Sequence, residues 1–311
     1  MLSRIADSLY WLSRYMERVD GLLRLTRIHY ILWLDKEISD HKTWRPVLET
    51  FSFAPAEQIA VLENDIQASL KYLLIDTTNA NSLIQLLNKA RENARGVQDL
   101  LTKEVWEEVN GMYHLINDAS LPARLSAFEA MKVIELFTKH SVSYTGITSI
   151  TMPRGTGWDF MNLGKYIERC LQTIIITEKQ LETVPFQRVE NDILTWRHLL
   201  LALSGYELHL KTYRTTNYNF NVLHQVLLNE NFTRSVIYSL KHIQVYLKRL
   251  TRGNDEESAH LLRCFGRLHS KVEFMDLKIL DNASLERFLV ELKQGLLDFE
   301  RTVSNHFLSY S

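Results

Sequence analysis

At 311 residues and 36.4 kDa the chain is roughly twice a typical domain, with 46% hydrophobic residues, 23% charged residues and a formal net charge of -1. That balance excludes a disordered chain, and near-neutrality with a pI ≈ 6.8 excludes a surface built to coat nucleic-acid phosphate. Eleven glycines and five prolines are too few for the turns of a many-stranded sheet, so composition alone predicts an all-α fold.

The opening residues, Met1 to Asp7, meet a charge before any uninterrupted apolar run, which reads as neither a secretion signal nor an anchor. Ile5, Leu9, Leu12, Met16, Val19 and Leu23 then follow at the 4-3-4-3-4 spacing of a bundle seam, and Trp11, Tyr15 and Leu22 widen the apolar arc. Helical periodicity predicts further segments near 55–75, 81–118, 121–140, 158–183, 189–214, 220–251, 256–280 and 283–308. Pro46, Ala54-Pro55, Leu121-Pro122, Val184-Pro185 and Gly253-Asn254-Asp255 punctuate them, and Asp281 to Ser284 offer capping side chains to the last helix. The hydroxyl-rich, β-branched stretch Ser141 to Thr151 reads as an irregular crossover into Met152 to Gly157. The glycines there lack the preceding strand and the Gly-Lys-Ser/Thr ending of a phosphate loop.

Cys170 and Cys264 sit inside apolar helical patterns and read as buried thiols of a reducing cytoplasm. Apolar runs such as Leu199 to Leu203 are core-sized, well short of the ~18 residues of a membrane span, so no membrane partner is expected.

Internal similarity is the most informative feature. Leu12 to Arg18 recurs as Leu163 to Arg169, and Thr43-Trp44-Arg45 recurs as Thr195-Trp196-Arg197. A third echo pairs Asn81 to Gln85 with Asn221 to Gln225, leading to Arg95-Gly96-Val97 and Arg234-Ser235-Val236. The order of the echoes predicts a multi-helix bundle formed from two duplicated halves, residues 1–140 and 158–311, joined by a crossover loop over 141–157. The halves are expected to pack as one intertwined unit about an approximate two-fold axis.

Adjacent helical positions diverge by about 100°, so Glu17 and Arg18 each need a partner from elsewhere. An arginine in an apolar arc must be matched by acceptors, because an unpaired buried charge costs several kcal/mol. The symmetric solution pairs Glu17 with Arg169 and Glu168 with Arg18, with the hydroxyls of Tyr15 and Tyr166 reaching the same centre. Two readings of this polar centre stay open: an ion network that fixes helix packing, or a site that also holds a ligand or partner group.

Leu2 to Trp11, Arg14 to Arg18, Ala90 to Val97, Trp158-Asp159-Phe160 leading to Tyr166 to Arg169, and Phe232 to Val236 together resemble the bacterial alpha-E family, in order and across nearly the whole chain. Where the family often continues the second Glu-Arg helix with an arginine, this chain has Ile175, while the first copy keeps Arg24. The resemblance implies a cytoplasmic bacterial protein whose gene neighbours or fuses with a circularly permuted ATP-grasp ligase and a transglutaminase-like peptidase. Those two are the implied partners, in a system that makes or processes a peptide or amide-linked product.

Catalytic signatures are sparse. No Gly-x-Ser-x-Gly elbow, no Gly-x-Gly-x-x-Gly after a strand and no cysteine with an obvious local histidine is present, so no cofactor is expected. An enzyme would have to use Glu17 and Glu168 as acid or base, with Arg18, Arg169, Arg95 and Arg234 as clamps for a carboxylate or phosphate. A di-iron site needs Glu-x-x-His on two helices, and the single match is Glu257-Ser258-Ala259-His260, so no metal is expected. Arg91 and Arg95, one turn apart, have the spacing of an anion cradle, against the plainer reading of ion pairs with Glu92 or a neighbouring helix. The favoured function is therefore an accessory binding component of the peptide system. The opposing one is an enzyme of that pathway acting through the paired Glu-Arg centre.

Overall fold

A computed structural model describes residues 1–34, 44–125, 129–183, 193–251 and 256–308, and every regular element among them is helical. The contacts divide the chain into two units, Trp11–Arg154 and Gly155–Ser311, with Met1–Tyr10 belonging to the second.

The N-terminal unit contains most of α1 (Ser3–Leu34), then α2 (Arg45–Phe51), α3 (Ala56–Leu62), α4 (Ile66–Leu74), α5 (Leu83–Gly96), α6 (Lys103–Ile116), α7 (Leu121–Arg124) and α8 (Ala130–Thr151). The seam predicted for α1 is buried at Leu9, Leu12, Met16, Val19 and Leu23. Leu83, Leu86, Leu87, Ala90 and Ala94 make the inner stripe of α5, which packs on α6 through Val105, Val109, Met112 and Ile116. The helix predicted over 55–75 is broken before Asp65. Asp65 accepts from the backbone N–H groups of Gln67 and Ala68 and starts α4.

The expected crossover loop is corrected here: Ser141 to Thr151 is the second half of α8. Its hydroxyls do not compete with the helix. Thr138, Thr145 and Thr151 donate back to carbonyls four residues earlier, and Phe137, Ser141 and Tyr144 are buried along α8, which packs against α6. The chain leaves the helix at Met152, and Arg154 donates to the carbonyls of Met152 and Ser149 that the helix end leaves open.

The C-terminal unit contains α9 (Thr156–Thr183), α10 (Ile193–Ala202), α11 (Tyr206–Thr212), α12 (Tyr218–Leu228), α13 (Val236–Leu250), α14 (Glu256–Glu273) and α15 (Asn282–Val303). Leu285, Leu289, Leu292, Leu296, Phe299 and Val303 repeat the 4-3-4-3-4 seam on α15, which lies against α9 and α14. Asp281 caps α15 at the Ser284 N–H, as its sequence position predicts. The predicted breaks at Val184-Pro185 and Gly253-Asn254-Asp255 lie outside the described residues, as does Thr43 of the second echo.

The helix predicted over 189–214 is broken at Ser204-Gly205, a dipeptide that favours turns. Ser204 adopts φ 55, and a Cβ on Gly205 would meet Gln225 Nε2 at 2.6 Å. That close approach lets Gln225 Nε2 donate to the Gly205 carbonyl at 2.7 Å, which leaves Gln225 Oε1 to accept from His209 Nδ1 at 2.9 Å. Tyr213 stacks on His209, shares a hydrogen bond between its hydroxyl and His224 Nδ1, and accepts from Asn229. A buried polar network therefore ties α11 to α12. Cys170 is buried as expected, with its thiol pushed up by desolvation, but Cys264 is corrected to half-buried. Among the described residues no helix is long and apolar enough to cross a membrane.

Candidate functional site

Glu17-Arg18 on α1 lies in the N-terminal unit and Glu168-Arg169 on α9 in the C-terminal unit. On α1, Tyr10, Arg14, Glu17 and Gly21 share one helical face, and all four are buried. Glu17 is 6% exposed and Arg14 only 2%, with the Arg14 guanidinium 4.8 Å from the Trp11 ring centroid. Trp11 in turn stacks on Tyr15 at 5.4 Å. Tyr144 of α8 faces the same region. Burial pushes its hydroxyl up to about 12, with the Glu17 carboxylate adding to the rise and the Ser13 and Thr148 hydroxyls opposing it.

Arg18 is less buried and turns toward α5, where its Nη1 donates to Asn81 Oδ1 at 3.0 Å. Asn81 is itself oriented, since its N–H is given to Asn79 Oδ1, and Asn79 donates onward to the carbonyls of Phe51 and Tyr72. Lys89, two turns into α5, reaches back to the Ala80 carbonyl at 3.0 Å and stands 5.8 Å from the Tyr15 ring centroid.

On α9, Glu168 is 1% exposed and accepts from Gln172 Nε2 at 3.2 Å, one turn along the helix. Arg169, 9% exposed, lies 5.2 Å from the Tyr166 centroid and donates to the Thr233 carbonyl at 3.3 Å, just before α13. Thr173, one turn on, donates to the Arg234 carbonyl at 2.9 Å. Tyr166 stacks on His242 of α13 at 4.5 Å, and His242 stacks on Tyr238 at 4.1 Å while donating its Nδ1 hydrogen to the Tyr238 carbonyl.

The two Glu-Arg pairs have similar surroundings. In each unit the arginine of the Glu-Arg pair bonds the loop before a helix that starts after a buried serine, Ser82 or Ser235. In each, the tyrosine three residues before that arginine faces a side chain seven residues past that serine, Lys89 or His242. The third sequence echo falls on unlike elements: Asn81-Ser82-Leu83 and Arg234-Ser235-Val236 both lie at helix starts, whereas Asn221 lies inside α12 and Arg95-Gly96 end α5. Ser235 caps its helix at the Tyr238 N–H, while Ser82 makes no side-chain cap.

The remaining candidates separate. Arg91 donates from Nε to Asn110 of α6 at 2.9 Å, lies 4.2 Å from the Tyr113 centroid and stands 3.5 Å from the Glu92 carboxylate, while Arg95 is exposed. Arg234 belongs to the C-terminal unit and Arg91 and Arg95 to the N-terminal one. Glu257 lies 3.3 Å from His306, and His260 lies beside Cys264. Among the described residues no group of three or more His, Cys, Asp or Glu could hold a metal ion. Of two further Glu-Arg dipeptides on α15, Glu286-Arg287 is exposed at both residues, and in Glu300-Arg301 the glutamate is half-buried and the arginine exposed.

Sequence reasoning missed Arg14, Asn81, Lys89 and His242. Arg14 was findable, since it occupies the face of Tyr10 and Glu17 at helical spacing. Lys89 and His242 were not, because their partner lies on another helix.

A family model described as "Alpha-E: A predicted alpha-helical domain with a conserved ER motif" matches residues 1–308. The chain belongs to the Alpha-E family. Among relatives, the Alpha-E chain is 25% identical over 272 residues to an uncharacterized protein of Mycobacterium bovis, and 24% identical over 272 residues to one of Mycobacterium tuberculosis. Each match covers 79% of the Alpha-E chain and 30% of the relative, so the chain spans less than a third of the relatives' length. No solved structure matches it.

Proposed function

We propose that the chain is an accessory helical module that binds the components or the peptide substrate of a bacterial ATP-grasp-associated peptide synthesis or modification system. A circularly permuted ATP-grasp ligase and a transglutaminase-like protein are the partners it would meet. The observation that carries this reading is the burial of Glu17 and Glu168, at 6% and 1% exposure. A general acid or base must come within hydrogen-bond reach of the atom it serves, and carboxylates closed in among helices serve packing instead. The length of the mycobacterial relatives fits a module that works beside other domains. The parallel surroundings of Arg18 and Arg169 support descent of the two halves from one duplicated helical unit.

The test is capture of the neighbouring ligase from the native host by the tagged full chain and by its Glu17→Gln and Glu168→Gln variants. The ligase is expected with all three, provided each variant is folded. Variants that keep the complex and their melting temperature but abolish product would overturn the accessory reading in favour of an enzyme.

A further inference from the structure

A helix of seven residues does not stand without packing, yet the one buried residue of α11 is His209 rather than an apolar side chain, and Leu210 beside it is 51% exposed. The His209 ring is anchored on α12, where its Nδ1 donates to Gln225 Oε1 at 2.9 Å. The loop that follows, exposed from Arg214 to Asn217, is held by a second histidine, because the half-buried Tyr213 stacks on His209 and meets His224 Nδ1 at 2.8 Å.

Ahead of α11 lies a joint. Ser204 holds φ 55, a left-handed conformation that a serine adopts at a cost in energy, and Gly205 fits beside Gln225 because it lacks a Cβ. Gln225 Nε2 donates to the Gly205 carbonyl, so one side chain of α12 fastens both the joint and the helix it carries. A proton added to His209 enters at Nε2, which is buried and has no acceptor.

No counter-charge meets that proton. His209 makes no ion pair among the described residues, and α12 presents Gln225 and His224 to α11 and its loop. Tyr213, the titratable side chain stacked on the ring, has its hydroxyl pushed up by burial and stays neutral. Arg197 of α10, Glu207 and Lys211 of α11, Arg214 of the loop and Glu230 beyond α12 are exposed, and His198 of α10 is half-buried. Desolvation lowers His209, against the Gln225 bond, and lowers His224.

We propose that α11 and the loop to Asn217 form an acid-released strap, which swings about Ser204-Gly205 when His209 and His224 take up protons and bares the buried Gln225 side of α12. Both rings are held neutral in the closed form, so opening binds protons and is favoured as pH falls below the free histidine value of about 6.5. From pH 7 to pH 5.5 the opening constant rises by up to about eightfold for each histidine released.

Hydrogen–deuterium exchange of the purified full chain tests this, read by mass spectrometry at pH 7 and pH 5.5 and corrected for the chemical exchange rate at each pH. Protection of the amides of residues 209–213 is expected to fall at least about fivefold further than protection in α15 of the same unit. His209→Asn should remove the share of one histidine, and His209→Asn with His224→Asn should leave residues 209–213 and α15 responding alike. A fall over 209–213 no larger than that in α15 would overturn the strap, and this comparison within the natural chain stands even if the variants unfold. So would a His209→Asn chain that melts like the natural one at pH 7 and keeps the full response.

Discussion

Replacing Glu168 by alanine is expected to cost about 3–5 kcal/mol of stability, whereas the same change at Glu286 should cost less than about 0.5 kcal/mol. Both residues precede an arginine in a helix, but Glu168 is 1% exposed and Glu286 is exposed. Removing the buried carboxylate leaves the Gln172 amide without the acceptor it now has, and leaves the 9%-exposed Arg169 guanidinium in surroundings that have lost a negative charge. At Glu286 water takes the place of the lost group. Urea unfolding followed by helical ellipticity reads both variants. Equal losses at the two positions would show that burial does not set the worth of the dipeptide.

Lowering the pH from about 7 to about 5.5 is expected to loosen the C-terminal unit, and His209→Asn should make the melting temperature less sensitive to that change. Desolvation is the first cause holding His209 below its ordinary value, opposed in part by the Gln225 bond, and desolvation likewise lowers His224. For a histidine depressed in the folded state, the unfolded chain binds the proton more readily as pH falls below about 6.5. The stability these neutral rings supply is thus present above the unfolded value and is lost as pH falls through the folded one. His209 Nδ1 already carries a hydrogen for Gln225, so a second proton would have to enter at Nε2, which is buried and has no hydrogen-bond partner. His269 is also lowered by burial and stays in the variant, so the slope is expected to shrink without vanishing. Identical pH dependence in the natural chain and the variant would remove His209 from the account.

The fold class was legible because the signals that set it are local. The seam residues of α1 and the Asp281 cap act within one or two turns, and the structure keeps them. Ser141 to Thr151 was illegible for a related reason. Threonine and serine disfavour an isolated helix, but burial of Phe137, Ser141 and Tyr144 and packing on α6 override that preference. The Glu-Arg pairs were visible as a repeat, yet their surroundings were not. Whether Arg18 meets Asn81, and whether Lys89 or His242 faces the tyrosine, depends on residues more than sixty positions away. Spacing along one helix does not encode such contacts.

Carbodiimide labelling of carboxylates with glycinamide on the native full chain, read residue by residue by mass spectrometry, tests the shielding of the Glu-Arg centres most directly. Glu286 is predicted to label quickly, and Glu17 and Glu168 only after urea unfolds the units that hold them. Labelling of Glu17 and Glu168 in the folded protein at the rate of Glu286 would contradict the account and restore both as accessible acid or base groups.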